Sequence, residues 1–307
     1  MSHVRLAVLI AIALAGCATR SRAPRAATPQ DAAPPAFASA AASSAAAAAL
    51  VRAEPHDALH ATLWMQSAVE YRAAATQAYR TAALRLDEGL ADASWTAALE
   101  QRDQPGYAEL PPAVVVDLDE TVLDSSPYMA RLVRERVDYS DVTWKAWVEE
   151  AAAEAIPGAL EFARAAEARG VRVVYLTNRD ADEEPATRRN LARLGFPLTD
   201  DPDHVVTQGE RPAWRPRDKG PRRAHVAAHY RILLLVGDNL TDFLSADKAT
   251  ASERDQIFLE HAERWGRTWI QLPNPLYGSW ESVAYGGNYK LSLDERRAAK
   301  LELLRTR

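Results

Sequence analysis

Asp117 and Asp119 stand two residues apart directly behind a short apolar run, in Val-Val-Val-Asp-Leu-Asp-Glu-Thr ending at Thr121. A carboxylate so placed can attack phosphorus and carry the phosphoryl group, dividing one hard displacement into two easier ones. A second carboxylate two residues on can protonate the leaving oxygen, then deprotonate the water that resolves the intermediate. Two acids beside a phosphate dianion repel it unless a hard cation intervenes, and Mg²⁺ takes carboxylate and carbonyl oxygens in octahedral geometry. Asp238, in Gly237-Asp-Asn-Leu-Thr-Asp242, offers the missing ligand. Thr177 and Lys219 offer a hydroxyl and an ammonium to the equatorial phosphate oxygens, where charge must be held during transfer.

Such residues need a scaffold that gathers them. Short runs rich in Val, Ile and Leu at 113–116, 171–176, 204–206, 232–236 and 268–272 read as buried strands. Helical patterns at 158–169, 185–194, 222–229 and 241–264 separate them. The alternation predicts an α/β fold, a doubly wound parallel sheet with helices on both faces. Ligands of such sheets gather at the carboxyl ends of the strands. The Asp117 loop, Thr177-Asn178-Arg179, the loop with Lys219, and Gly237-Asp238 all fall there. An N-terminal helical region precedes the sheet: 58–88 holds no Gly or Pro and reads as one long helix, and 91–102 as a second. Ser292-Leu-Asp-Glu295 is a capping-box pattern that opens a last helix to about 305.

Asp117-x-Asp119-x-Thr121, a strand-ending Thr, a Lys and a late Gly-Asp-Asn-x-x-Asp resemble, in order, the four motifs of the haloacid dehalogenase (HAD) superfamily. Leu-Asp124-Ser-Ser-Pro127-Tyr128, Thr143-Trp144-Lys-Ala-Trp147, Tyr175-Leu-Thr-Asn-Arg179 and Leu272-Pro-Asn-Pro-Leu-Tyr277-Gly-Ser-Trp280 resemble more narrowly the class C non-specific acid phosphatases, the bacterial lipoprotein 5′-nucleotidase group. The resemblance implies Asp117 as nucleophile and Asp119 as general acid/base. It implies Mg²⁺ on the Asp117 carboxylate, the Asp119 carbonyl and Asp238, with Asp242 in the outer shell. It further implies Thr177 and Lys219 on the phosphoryl group, and Asn178, Trp144 and Tyr277 at the substrate, the two aromatics sandwiching a flat ring. The expected substrates are small phosphomonoesters: 5′-nucleotides, including nicotinamide mononucleotide, and aryl phosphates. Ser125 departs from the family's more frequent Asn. A phosphotransferase on the same site and a non-catalytic surface binding lipoprotein are the rival readings.

Other residues carry two readings from sequence. Asp242 reads equally as a helix N-terminal acid. Trp144 and Tyr277 read also as core aromatics, and Trp147 and Trp280 are expected to pack. Arg211, Arg215, Arg217, Arg222 and Arg223 crowd the Lys219 loop and read as a solvated, substrate-steering patch. The Asp-Lys-Gly context favours Lys219 over Arg217. His225 and His229 have helical metal-ligand spacing but no third ligand, so no second metal is expected.

The N-terminus speaks to compartment. His3 and Arg5 precede an apolar run over 6–16 that is too short to span a bilayer. Leu14-Ala15-Gly16-Cys17 resembles a lipobox, which implies a signal peptide over 1–17, acylation of Cys17, and membrane attachment through an N-terminal lipid anchor. Ala18, rather than an aspartate, favours the outer membrane, with the catalytic domain in the periplasm or at the cell surface. Residues 18–54, Ala/Pro-rich, read as a disordered tether, and 55–307 as the HAD-like domain, with accessory helices in 55–104 and a helical insertion over 124–156. Cys17 is the sole cysteine, so no disulfide is expected within the chain. The net charge of −5 argues against a nucleic-acid polymer as partner. A homodimer is compatible with the sequence.

Overall fold

The computed structural model describes residues 56–306. The signal segment, Cys17 and the tether over 18–54 lie outside the described residues. In chain order the elements are α1 (Leu59–Ser67), α2 (Val69–Ala91), β1 (Pro112–Val116), β2 (Leu123–Asp124), α3 (Ser126–Glu135) and α4 (Asp141–Glu149). Then come β3 (Glu154–Ala155), α5 (Ala159–Ala168), β4 (Arg172–Asp180), α6 (Glu184–Leu194), β5 (Val205–Gln208) and α7 (Gly220–Ala227). The chain continues through β6 (Arg231–Gly237), α8 (Leu240–Phe243), α9 (Ala251–Glu260), β7 (Trp269–Gln271), α10 (Ser279–Ser282) and α11 (Leu293–Glu302).

Five strands form a parallel sheet in the order β5-β4-β1-β6-β7. Alternate residues of each strand point to opposite faces, and both faces are covered, which is why the strands read as unbroken apolar runs. Val114, Val116, Val173 and Tyr175 join a core with Tyr71, Tyr79 and Leu86 of α2 and Phe162 of α5. Ala113, Val115, Val174 and Leu176 join the other core with Trp214, Val226 of α7, Phe243 and Trp269. The fold class expected from the alternation pattern is the one observed. The crevice beyond the carboxyl ends of β4, β1 and β6 lies at the centre of the sheet, where the strand order reverses. The short antiparallel pair β2–β3 frames the insertion made of α3 and α4.

Three helical expectations change. The predicted helix over 58–88 is two helices, broken at Ala68, which is extended at φ −75°, ψ 131°. Ser67 Oγ donates to the Leu63 carbonyl (2.6 Å) in the last turn before the break, a bond that competes with helical pairing. The break lets α1 pack against α3 while α2 lies against α5. Of the predicted helix over 91–102 only a single 3-10 turn, Leu99–Gln101, forms. Ser94 N and Oγ both donate to Asp92 Oδ1 (2.9 and 2.7 Å), turning the chain out of α2. Trp95 is then buried and donates its Nε1–H to the Leu233 carbonyl at 2.8 Å. Burying a tryptophan contributes several kcal/mol, against roughly 0.7 kcal/mol or less per residue of helix propensity, so tertiary packing wins. The predicted helix over 241–264 is α8 and α9 with an unwound stretch between them. Two capping boxes, Asn239/Asp242 and Thr250/Glu253, start the two helices separately. At the C-terminus the Ser292/Glu295 capping box forms as expected. Among the described residues no helix is long and apolar enough to cross a membrane.

Candidate active site

β1 delivers Asp117 to the centre of the crevice, its backbone N–H donating to the Val236 carbonyl of β6 at 2.9 Å. β6 delivers Asp238 and the turn into α8 brings Asp242, so that the three buried carboxylates offer oxygens within 4.8 Å of one another. Lys219, 3% exposed, reaches in from the N-terminus of α7. Its ammonium donates to Asp117 Oδ1 and, at 2.7 Å, to Asp242 Oδ1. Arg217 is exposed, whereas Lys219 lies among the acids. Thr121 Oγ1 lies 3.1 Å from Asp238 Oδ1 and 3.4 Å from Asp117 Oδ2, joining the two acids. Tyr79 of α2 donates its hydroxyl to the Thr121 carbonyl (2.6 Å), which ties the N-terminal helices to the loop after β1.

Were all ionised, three acids against one lysine would leave an excess of two negative charges in a buried space. Burial, partly opposed by Lys219, pushes the Asp117 carboxyl up to about 6. Burial and the adjoining Asp242 and Asp117 hold Asp238 well above the usual carboxylate range. An all-oxygen donor set with unbalanced negative charge fits a hard divalent cation, which would relieve the repulsion. A second acid group, Asp180, Asp182 and Glu183, is already countered by Lys145, whose ammonium lies 2.8 Å from Asp182 and 3.2 Å from Asp180.

Asp119 points elsewhere. Arg179, 2% exposed, donates Nη2–H to its Oδ1 (2.7 Å) and Nε–H to its Oδ2 (3.1 Å). Thr177 is buried, and its hydroxyl accepts the Arg179 backbone N–H at 3.1 Å. Asn178 is half-buried, with its Oδ1 accepting from Arg222. Trp144 sits on α4 among Tyr128 (5.1 Å between ring centroids), Trp147 (5.1 Å) and Tyr139 (6.2 Å). Tyr277, from the loop after β7, donates its hydroxyl to Glu120. Glu120 adopts φ 59°, unusual for a residue with a side chain. Its buried carboxyl also accepts Ser125 N–H (3.0 Å) and Oγ–H, so Ser125 serves the turn beside the acid pair.

Several residues differ from expectation. Arg222 and Arg223 are not solvated. Both are buried, Arg222 on the Thr177 carbonyl and Asn178, Arg223 on Glu100 (3.0 Å) and the Thr241 carbonyl (3.0 Å). Trp147 packs as expected, whereas Trp280 is 44% exposed and donates Nε1–H to the Tyr277 carbonyl (2.9 Å). Asp242 caps α8 through Asn239 N–H (2.8 Å), as its helix-terminal reading expects, and also receives Lys219. His225 turns Nε2 to Asp203 (3.0 Å) and His229 turns Nδ1 to the His225 carbonyl (2.9 Å), so the pair's ring nitrogens serve local bonds. Arg179, Thr121 and Glu120 received no role from sequence. Thr121 and Arg179 stand within the quoted motifs and Glu120 between two of their residues, and that placement alone marks them.

A family model described as acid phosphatase, HAD superfamily subfamily IIIB, matches residues 26–280. The chain belongs to that acid phosphatase family. The solved class C acid phosphatase from Bacillus anthracis is 36% identical, with a TM-score of 0.71 over 81% of this chain and 97% of that one. A tungstate-bound structure of the class C acid phosphatase from Bacillus anthracis matches at 34% identity and TM-score 0.70. Among curated plant proteins, the stem 31 kDa glycoprotein of Glycine max is 25% identical and acid phosphatase 1 of Solanum lycopersicum 27%. The matches span 53% of this chain and only 58% and 57% of those relatives' lengths. Class C kinship and the HAD-like fold, read first from the motifs, are thereby established for this acid phosphatase family member.

Proposed function

We propose that this protein is a magnesium-dependent acid phosphatase that hydrolyses phosphomonoesters through an aspartyl phosphate on Asp117. The observation that carries the reading is the buried Asp117–Asp238–Asp242 cluster with Lys219 between its members, beside an Asp119 that belongs to a separate ion pair. Two acids two residues apart thus have different surroundings, as a nucleophile and a proton carrier require.

Asp117 and Asp238, with the Asp119 carbonyl, would hold Mg²⁺, which supplies charge neutralisation at the phosphoryl oxygens when bound. Asp117 attacks phosphorus and the ester P–O bond breaks. The leaving oxygen takes the proton carried by Asp119. Asp119, now a carboxylate, accepts a proton from water as that water attacks phosphorus, releasing Asp117 and inorganic phosphate. Lys219 and Thr177 hold the phosphoryl oxygens, and Asn178 lies beside them.

Trp144 and Tyr277 give the substrate side an aromatic character suited to 5′-nucleotides, nicotinamide mononucleotide and aryl phosphates, since every such ring presents a π-face. With Cys17 acylated, the enzyme sits on the outer membrane and acts in the periplasm or outside the cell. Purified protein given nucleoside monophosphates and an aryl phosphate is expected to turn them over with Mg²⁺, to stop when a chelator is added, and to recover when Mg²⁺ is restored. An inactive wild type, or undiminished turnover by Asp117→Asn, would sink the proposal.

A further inference from the structure

Arg179 has no assigned part in the cycle above, yet it is buried and forms an ion pair with Asp119, the proton carrier. Strand β4 does not stop at Thr177. It runs on to Asp180 and so carries Arg179 past the strand end with its side chain buried. The guanidinium meets both oxygens of Asp119, at 2.7 and 3.1 Å. Its remaining nitrogen, Nη1, donates to Thr187 Oγ1 on α6 at 3.0 Å. The guanidinium carbon also lies 5.7 Å and 5.9 Å from the ring centres of Trp144 and Trp147. Each guanidinium nitrogen therefore has a partner, and two indole rings lie close by.

Resting on the phosphatase reading, we infer that Arg179 is a positioning residue that fixes the Asp119 carboxyl in the attitude from which it serves the leaving-group oxygen. A single hydrogen bond leaves a carboxylate free to rotate about its Cβ–Cγ bond. Two parallel bonds from a planar fork do not, and a lysine ammonium cannot make both. The fork occupies two of the roughly four lone-pair sites of the carboxylate. The others stay open for the proton that passes to the ester oxygen as its bond to phosphorus breaks. Small errors in such an attitude cost rate steeply, because proton transfer depends on distance and alignment.

The consequence depends on the leaving group, which separates positioning from mere support of the fold. A nitrophenolate departs readily without a proton, whereas an alkoxide does not. Because kcat/KM reports steps up to departure of the alcohol, it isolates this proton transfer from the later hydrolysis. For Arg179→Lys we expect kcat/KM to fall about 100-fold on an alkyl phosphate such as glycerol phosphate, within the usual range for a lost general acid, and less than about fivefold on p-nitrophenyl phosphate. Asp119→Asn should show the same leaving-group dependence, and the double variant should lose little more than Asp119→Asn alone.

An equal loss on both esters, or full additivity of the two substitutions, overturns the assignment. If Arg179→Lys does not fold, as judged by near-UV circular dichroism, Thr187→Val decides. It removes only the Nη1 partner and should reproduce the leaving-group dependence at a few-fold level; an unchanged dependence overturns the assignment. A wild type inactive on both esters would refute the phosphatase reading and this inference with it. An active wild type whose variants respond uniformly would refute this inference alone.

Discussion

The carboxyl ends of β1, β4 and β6 and the insertion formed by α3 and α4 meet at Arg179, yet they are built from different interactions. On the strand ends the functional groups are ionic and almost fully enclosed: Asp117 is 9% exposed, Asp238 8%, Lys219 3%. Each touches a charged or hydrogen-bonding partner within the loop set. On the insertion, Trp144 is half-buried and Tyr139 is 49% exposed, held by ring contacts of broad geometry. Charges out of water interact strongly and directionally, so the strand ends tolerate little change. Ring packing is shallow in angle and tolerant of shape, which suits a surface that accepts different rings.

The largest expected effect comes from removing the cation. Lys219→Met leaves three enclosed carboxylates without their ammonium, and turnover should fall about 100- to 1,000-fold, the usual cost of losing a group that stabilises developing charge. Initial-rate measurements at saturating Mg²⁺ check it. A loss below tenfold would mean that the strand ends are as forgiving as the insertion.

A smaller, selective effect is expected on the insertion. Trp144→Leu keeps apolar cover over Arg179 but removes the ring. KM for a nucleoside monophosphate should rise roughly tenfold, as for one lost stacking contact, while KM for glycerol phosphate stays within about twofold. A uniform change across both substrates would erase the distinction between the two regions.

The smallest effect on turnover is expected at His204, which belongs to neither region. Its ring stacks on Tyr175 (5.7 Å between centroids), and its Nδ1 accepts the Thr199 N–H at 2.9 Å, so the folded protein holds it neutral. Burial, with Arg172 and Arg188 nearby, lowers its pKa from 6.5 to about 4. Between those two values the unfolded chain binds more protons than the folded one. Stability from this group is therefore present above pH 6.5 and is lost as pH falls toward about 4. Urea midpoints for His204→Gln should depend less on pH across that window than wild-type midpoints, with turnover at pH 7 unchanged. Parallel pH curves would refute the assignment.

The clustering of Asp117 and Asp238 was legible because each follows its strand directly, so an apolar run and the next residue locate it. The parallel sheet was legible for the same reason. Arg179 was not, because its role depends on β4 continuing past Thr177 and on an acid that lies in another loop of the chain. Arg222 and Arg223 read as solvated in sequence because their partners are largely backbone carbonyls, of Thr177 and Thr241, which leave no mark there. The break at Asp92 is written in local turn chemistry, but the helical pattern around it masks that signal, and the burial of Trp95 that decides it is not visible in sequence.

The pairing of β1 with both β4 and β6 also sets when this site comes into being. Ala113 lies beside Arg172 on one side and Ile232 on the other, neighbours roughly sixty and a hundred and twenty residues downstream. Joining such distant segments is the slow part of folding a parallel sheet, since loop closure must precede the contacts that reward it. A nascent chain that has not yet emerged past Asp242 cannot assemble the acid cluster at all. Recovery of turnover during refolding should therefore follow the last strand pairing rather than the earlier growth of helical signal, which makes catalysis a clock for completion of the sheet.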